Sequence, residues 1–296
     1  GIAMGGEWGV GTALAMETVA PKWRGLVSGI LQSGYPTGYL LAALLYGVAF
    51  QALGWRGMFM VALLPALVIF YIRRTVPESP TWSLQAANEV RTPFLILIRR
   101  HFRLIAFATL LMAAATTFSH GTQDLYPTFL KVQHGLGVRE ISLIAIIYNI
   151  GAIGGSLTGG ALSQLIGRRR QIMAASALAL LILPLWACAS SIWLLAATAF
   201  VVQFLVQCTF GVLPAHLNEI APGEMRSTFA GVVYQLGNML TAANATFQAL
   251  LAEGWLKGNY GTSLALTAGA GAIILCLAAA FSSEAKDDLL ESSRDK

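Results

Sequence analysis

The stretch Thr116-Thr-Phe-Ser-His-Gly-Thr-Gln-Asp-Leu-Tyr-Pro-Thr128 places a histidine, a glutamine and an aspartate inside an otherwise apolar run. An imidazole and a carboxyl on one surface can take up and release a proton, and the hydroxyls and amides around them can orient an anion. Thr116, His120 and Asp124 are four residues apart, as are Ser119 and Gln123. On a helix all five project to one side with a slow drift around the axis, and Thr122 adds a further hydroxyl.

The element that must carry these groups is a membrane helix. From Leu104 to Leu130 the only formally charged residue is Asp124, and about 20 apolar residues suffice to cross a bilayer. An ionisable group in such a run is costly, so its default reading is functional, facing water or the protein interior. The competing reading is that His120 and Asp124 pair only to lock helices together. Pro127 removes a backbone N–H and crowds the carbonyl of Gln123, which predicts a kink or break just beyond the polar stripe.

Composition supports this setting. Of 296 residues, 56% are hydrophobic and 11% charged, with mean hydropathy +0.66, values that exclude an ordinary soluble domain and predict an all-α polytopic membrane protein. The net charge of +5 sits in short loops, where it orients the chain in the membrane and forms no face for nucleic acid. Cys188, Cys208 and Cys276 lie in apolar segments and read as core residues, with no disulfide framework.

Nine apolar segments are expected, at about 1–19, 25–50, 57–72, 104–130, 140–163, 171–189, 192–217, 227–252 and 262–281. With the loops 20–24, 73–103, 167–170 and 218–226 and the tail from Ser282 on one side, that side holds fifteen of the nineteen Lys and Arg residues, which assigns it to the cytoplasm. The first helix then runs inward. Gly1 opens inside an apolar run without an initiator Met, so the sequence reads as a fragment with helices missing at its start.

An internal repeat points the same way. A shift of 202 residues lays Trp8-Gly-Val10 on Phe210-Gly-Val212, Glu17 on Glu219, Arg24 on Arg226 and Gly29 on Gly231. Parallel repeats of this kind build one large transporter class. Gln32, Tyr35 and Tyr39 form a polar stripe in the second segment, and Tyr234, Asn238 and Thr241 form one in the eighth. The shift maps Gln32 onto Tyr234 and Tyr39 onto Thr241, so the stripes should face each other across a cavity; the alternative is that these groups only hydrogen-bond between helices. Glu7, flanked by Gly5, Gly6 and Gly9, is either a second proton-carrying site or a carboxyl held by a hydrogen bond to one of the expected missing helices. His216, between Pro214 and Glu219, is expected to be structural, and His101 and His134 fall at loop edges.

These features together resemble the major facilitator superfamily, whose members have twelve helices in two six-helix halves. The residues that carry the resemblance are Glu17…Pro21…Arg24-Gly25 and its echo Glu219…Pro222…Arg226, Gly54-Trp-Arg56, Val76-Pro-Glu-Ser-Pro-Thr-Trp82 and Gly160…Gly167-Arg-Arg-Arg170. The resemblance implies that nine of twelve helices, the family's fourth to twelfth, are present. Residues 1–72 would be the remainder of the N-terminal half, 73–103 the central cytoplasmic loop, 104–281 the C-terminal half and 282–296 a cytoplasmic tail. Loops like Gly167-Arg-Arg usually carry an Asp and a basic residue just upstream, where this chain has Gln164 and Leu165. A topological role for Arg168, Arg169 and Arg170 is therefore expected in place of the family's charge relay.

Ser119-His-Gly-Thr-Gln-Asp124 followed by Thr128 resembles the seventh-helix signature of the Jen lactate and pyruvate symporters, with Thr116 where that pattern has Asn. Gly5-Gly-Glu-Trp-Gly9 is similar to bacterial symporters of the sialate:proton group. The resemblance implies a proton-coupled symporter of a short monocarboxylate in a bacterial inner membrane, with no enzymatic activity, cofactor or metal. Ser119, His120, Thr122, Gln123, Gln32, Tyr35, Tyr39, Tyr234, Asn238 and Thr241 are the expected substrate groups. Asp124, His120 and Glu7 are the expected proton carriers. The rival readings are a symporter of a larger acid, such as sialate or an aromatic acid, and a non-transporting sensor. A membrane hydrolase would need Gly-x-Ser-x-Gly or His-Glu-x-x-His, and the sequence has neither.

Overall fold

In a lipid core every backbone polar group must be satisfied within the protein, and long apolar runs do so as helices. The computed structural model describes residues 2–75 and 94–284 and is helical throughout its regular elements. These are α1 (Ile2–Thr18), α2 (Arg24–Val61), α3 (Leu64–Thr75), α4 (Phe94–Arg100), α5 (Phe102–Gln123), α6 (Tyr126–Val132) and α7 (Val138–Ile166). Then follow α8 (Arg168–Ala187), α9 (Ile192–Phe210), α10 (Leu213–Glu219), α11 (Arg226–Leu240), α12 (Asn244–Leu250) and α13 (Tyr260–Phe281). The Val76-Pro-Glu-Ser-Pro-Thr-Trp82 motif and the tail from residue 285 lie outside the described residues, as do the side chains of Glu7 and Arg226.

Five stretches among the described residues are long and apolar enough to cross a membrane: Phe102–Val132, Val138–Ile166, Arg168–Ala187, Ile192–Glu219 and Tyr260–Phe281. Each expected segment coincides with one helix or with two in succession. The break expected from Pro127 is present: α5 ends at Gln123 and α6 begins at Tyr126, with Pro127 in its first turn. A similar break separates α9 from α10 ahead of Pro214. Another separates α2 from α3 ahead of Pro65, and a fourth, between α11 and α12, has no proline near it. Gly54, with φ of 59°, interrupts α2 between the second and third expected segments, a backbone angle that glycine alone tolerates readily.

The 202-residue repeat is visible in the backbone. A 3-10 turn at Pro21–Trp23 leads into α2 at Arg24, and its counterpart at Gly223–Met225 leads into α11 at Arg226. α5 packs against α13, α11 and α9, α7 packs between α2 and α9, and α1 lies along α11. Close approach at these seams depends on small residues. A Cβ on Gly9 would lie 2.6 Å from Gly231 Cα, and one on Gly29 would lie 2.4 Å from the carbonyl oxygen of Ser156.

Candidate functional site

The polar face of α5 opens onto a cavity of about 490 Å³ enclosed by α2, α5, α9 and α11. α2 contributes Gln32, Tyr35 and Tyr39, and its repeat counterpart α11 contributes Tyr234 and Asn238, with Thr241 at its C-cap. The two stripes therefore face a common space, as expected. From α5 come Thr116, Ser119, His120 and Asp124.

At the centre His120 Nδ1 lies 2.9 Å from Asp124 Oδ1, one helical turn away. Both side chains are partly open, at 39% and 28% exposure, so the pair faces the cavity and is not sealed between helices. Asp124 closes the last turn of α5, its N–H still bonded to the carbonyl of His120. Among the described residues no Lys or Arg lines the cavity, and His120 is the one histidine that does. Trp8 of α1 stacks on Tyr234 with ring centroids 4.2 Å apart, which fixes that ring at the cavity wall.

Thr122 and Gln123, expected among the substrate groups, do not line the cavity. Gln203 Nε2 donates to Thr122 Oγ1 at 2.9 Å, and Gln123 Nε2 donates to Gln203 Oε1 at 2.9 Å. The reason is rotational: at about 100° per residue Thr122 points roughly 200° away from His120, and Gln123 is turned toward α9. Both instead tie the end of α5 to a buried amide. On the other side Gln248 of α12 donates to the carbonyl of Gly121 at 2.9 Å, a group left over by the end of α5. Glu7 lies on α1, which borders α11, but its side chain is outside the described residues.

Three lining residues, Gln207 and Phe210 of α9 and Ala242 just beyond α11, were not singled out from the sequence. The signal was present for the first, because Gln203 and Gln207 stand four apart in an otherwise apolar helix.

The charged motif at the far end of the bundle corrects another expectation. Arg168 is not merely topological: it is 5% exposed and grips Glu219 with two bonds, Nη2 to Oε1 at 2.9 Å and Nε to Oε2 at 3.1 Å. Its Nη1 donates to Ser163 Oγ, and its Nη2 reaches Gln164 Oε1, which also accepts the N–H of Gly25. Gln164 thus supplies a neutral acceptor where a carboxylate was expected from the resemblance. Glu284 accepts the N–H groups of Arg168 and Arg169 at the start of α8, and Arg169 also bonds the carbonyls of Ala279 and Ala280. Arg24 donates to the carbonyl of Met16. His216 is wholly buried with Nε2 2.8 Å from Ser282 Oγ, a structural setting.

Comparison with known proteins fits this architecture. Residues 1–139 and 125–295 each match the Major Facilitator Superfamily. The chain is 31% identical over 280 residues to a carboxylic acid transporter protein homolog of Saccharomyces cerevisiae, covering 86% of this chain and 45% of that protein. It is 29% identical over 299 residues to the inner membrane metabolite transport protein YhjE of Escherichia coli, covering 94% and 67%. Against the sialic acid transporter NanX of Escherichia coli it is 24% identical over 269 residues, covering 90% and 65%. The chain thus spans about half to two thirds of these relatives.

Proposed function

The chain belongs to the major facilitator superfamily, and from that premise we propose that it acts in a secondary transporter moving an organic monocarboxylate together with a proton. The observation that carries this reading is the His120–Asp124 pair, 2.9 Å apart and open to a cavity between repeat-related helices. In this reading residues 1–72 belong to one half and 104–281 form the other, joined by 73–103, with the arginine-rich end in the cytoplasm. The names of the yeast and bacterial relatives support an organic-acid substrate.

A carboxylate entering a low-dielectric cavity needs compensating charge. With one proton shared between His120 and Asp124 the pair is neutral overall. A substrate carboxylate then takes hydrogen bonds from His120, Ser119, Gln32 and Asn238, each strengthened by its charge. Substrate and proton together carry no net charge. A membrane potential acts on net charge at about 2.3 kcal/mol per charge per 100 mV, so this cargo is driven by the pH gradient and not by the potential.

The short acids lactate and pyruvate are the first candidates, on the likeness of Ser119–Asp124 to the Jen signature. A second reading, a larger acid such as sialate or an aromatic acid, is favoured by the cavity's size and its three tyrosines. The test is uptake of labelled acids into proteoliposomes. Acid outside should drive accumulation of lactate or pyruvate, and a potassium diffusion potential alone should not. Accumulation of sialate or benzoate with neither short acid removes the narrower substrate. Binding without accumulation of any acid replaces the transporter with a sensor.

A further inference from the structure

The hydroxyl of Ser28 stands inside the backbone of a different helix. Ser28 belongs to α2 and is fully buried. Its Oγ donates to the carbonyl of Gly211 at 2.6 Å and accepts the N–H of Ala215 at 3.1 Å. In an unbroken helix those two backbone groups, four residues apart, bond each other directly. Here the hydroxyl is inserted between them at the turn where α9 gives way to α10. A side chain inserted into the helical ladder is an established cause of kinking. Pro214 removes the neighbouring rung, to the carbonyl of Phe210, so two successive rungs are missing at this bend.

The bend is connected to the cavity on both sides. Gln32, one turn beyond Ser28 on the same face of α2, lines the cavity; so does Gln207, whose carbonyl accepts the N–H of Gly211 at 2.8 Å. Ser156 of α7 links the two helices: its Oγ lies 3.3 Å from Gln207 Oε1, and its carbonyl is where a Cβ on Gly29 or Gly211 would fall. If α2 withdraws, it takes the hydroxyl with it. The buried carbonyl of Gly211 and N–H of Ala215 then have each other as the nearest partners, and unpaired they carry a desolvation penalty.

We propose that Ser28 is a positioning residue that switches α9–α10 between a bent form, held by its inserted hydroxyl, and a straighter form with Gly211 and Ala215 paired directly. The seating of α2 and the bend beside the cavity are then one coupled event. The consequence, alternation between two access states, rests on the transport reading above, but the test does not.

The full chain, with exposed Cys188 replaced by Ser and spin labels at the exposed positions Lys22 and Arg170, is placed in lipid nanodiscs for electron–electron distance measurement. Two distance populations are expected. Ser28→Ala should shift their ratio about fivefold away from the one matching this structure, the weight of one net buried hydrogen bond. Ser28→Thr, which keeps the hydroxyl, should stay near wild type. Pro214→Ala, which restores a rung without touching Ser28, should shift the ratio in the same direction as Ser28→Ala. A ratio unchanged in Ser28→Ala, an equal shift in the Ala and Thr variants, or a single distance throughout overturns the proposal. Absence of organic-acid flux in the wild type would count against the transport reading and leave these ratios to be judged on their own.

Discussion

At the scale of single residues, this chain holds two of its ion pairs in settings that do opposite work. His120 and Asp124 face an open cavity and are partly exposed. Arg168 and Glu219 are sealed, with side chains 5% and 7% exposed. A sealed pair cannot lose one partner cheaply, because the other charge is left buried without compensation. Glu219→Gln should therefore lower unfolding stability in detergent by about 3–5 kcal/mol, read as a shift in the denaturation midpoint of the purified protein. A change below about 1 kcal/mol would place the pair among ordinary surface bridges. The i, i+4 spacing of His120 and Asp124 was legible in the sequence. The partnership of Arg168 with Glu219 was not, since it joins residues 51 apart through tertiary packing. Thr122 and Gln123 were misplaced for a related reason: spacing gives the angle between side chains on one helix, but which angle faces the cavity depends on the neighbours.

At the scale of elements, helices were readable because hydropathy is a one-dimensional signal, and three of the four broken segments among the described residues were readable in kind because Pro65, Pro127 and Pro214 mark them. The break between α11 and α12 follows Leu240 with no proline nearby, and nothing local announces it. Seams between helices are set by glycine, and this yields a paired prediction. A Cβ on Gly29 would lie 2.4 Å from a backbone oxygen of α7, whereas one on Gly11 meets nothing within 4 Å. Gly29→Ala should force α2 from α7 and cost about 1–3 kcal/mol, as overpacking does. Gly11→Ala, in the same kind of helix with free space, should be neutral or stabilise by up to about 1 kcal/mol. Melting of both variants beside the parent checks the pair. Equal losses would mean that helix propensity, and not the seam, dominates.

At the scale of the whole molecule, the repeat brings α2 and α11 to the walls of one cavity, and α5 brings the His120–Asp124 pair to it. In the proposed function this pair couples proton to substrate. Asp124→Asn mimics the protonated carboxyl permanently, so the loaded protein should still bind substrate and change conformation without releasing a proton. Both activities are measured in one proteoliposome preparation of the complete transporter, normalised to folded protein: accumulation driven by acid outside, and exchange of labelled for unlabelled substrate without a gradient. Asp124→Asn is expected to abolish accumulation while exchange stays within about a factor of three of wild type, a difference of less than about 1 kcal/mol in the barrier. Accumulation retained in Asp124→Asn would contradict it, and so would accumulation and exchange falling together.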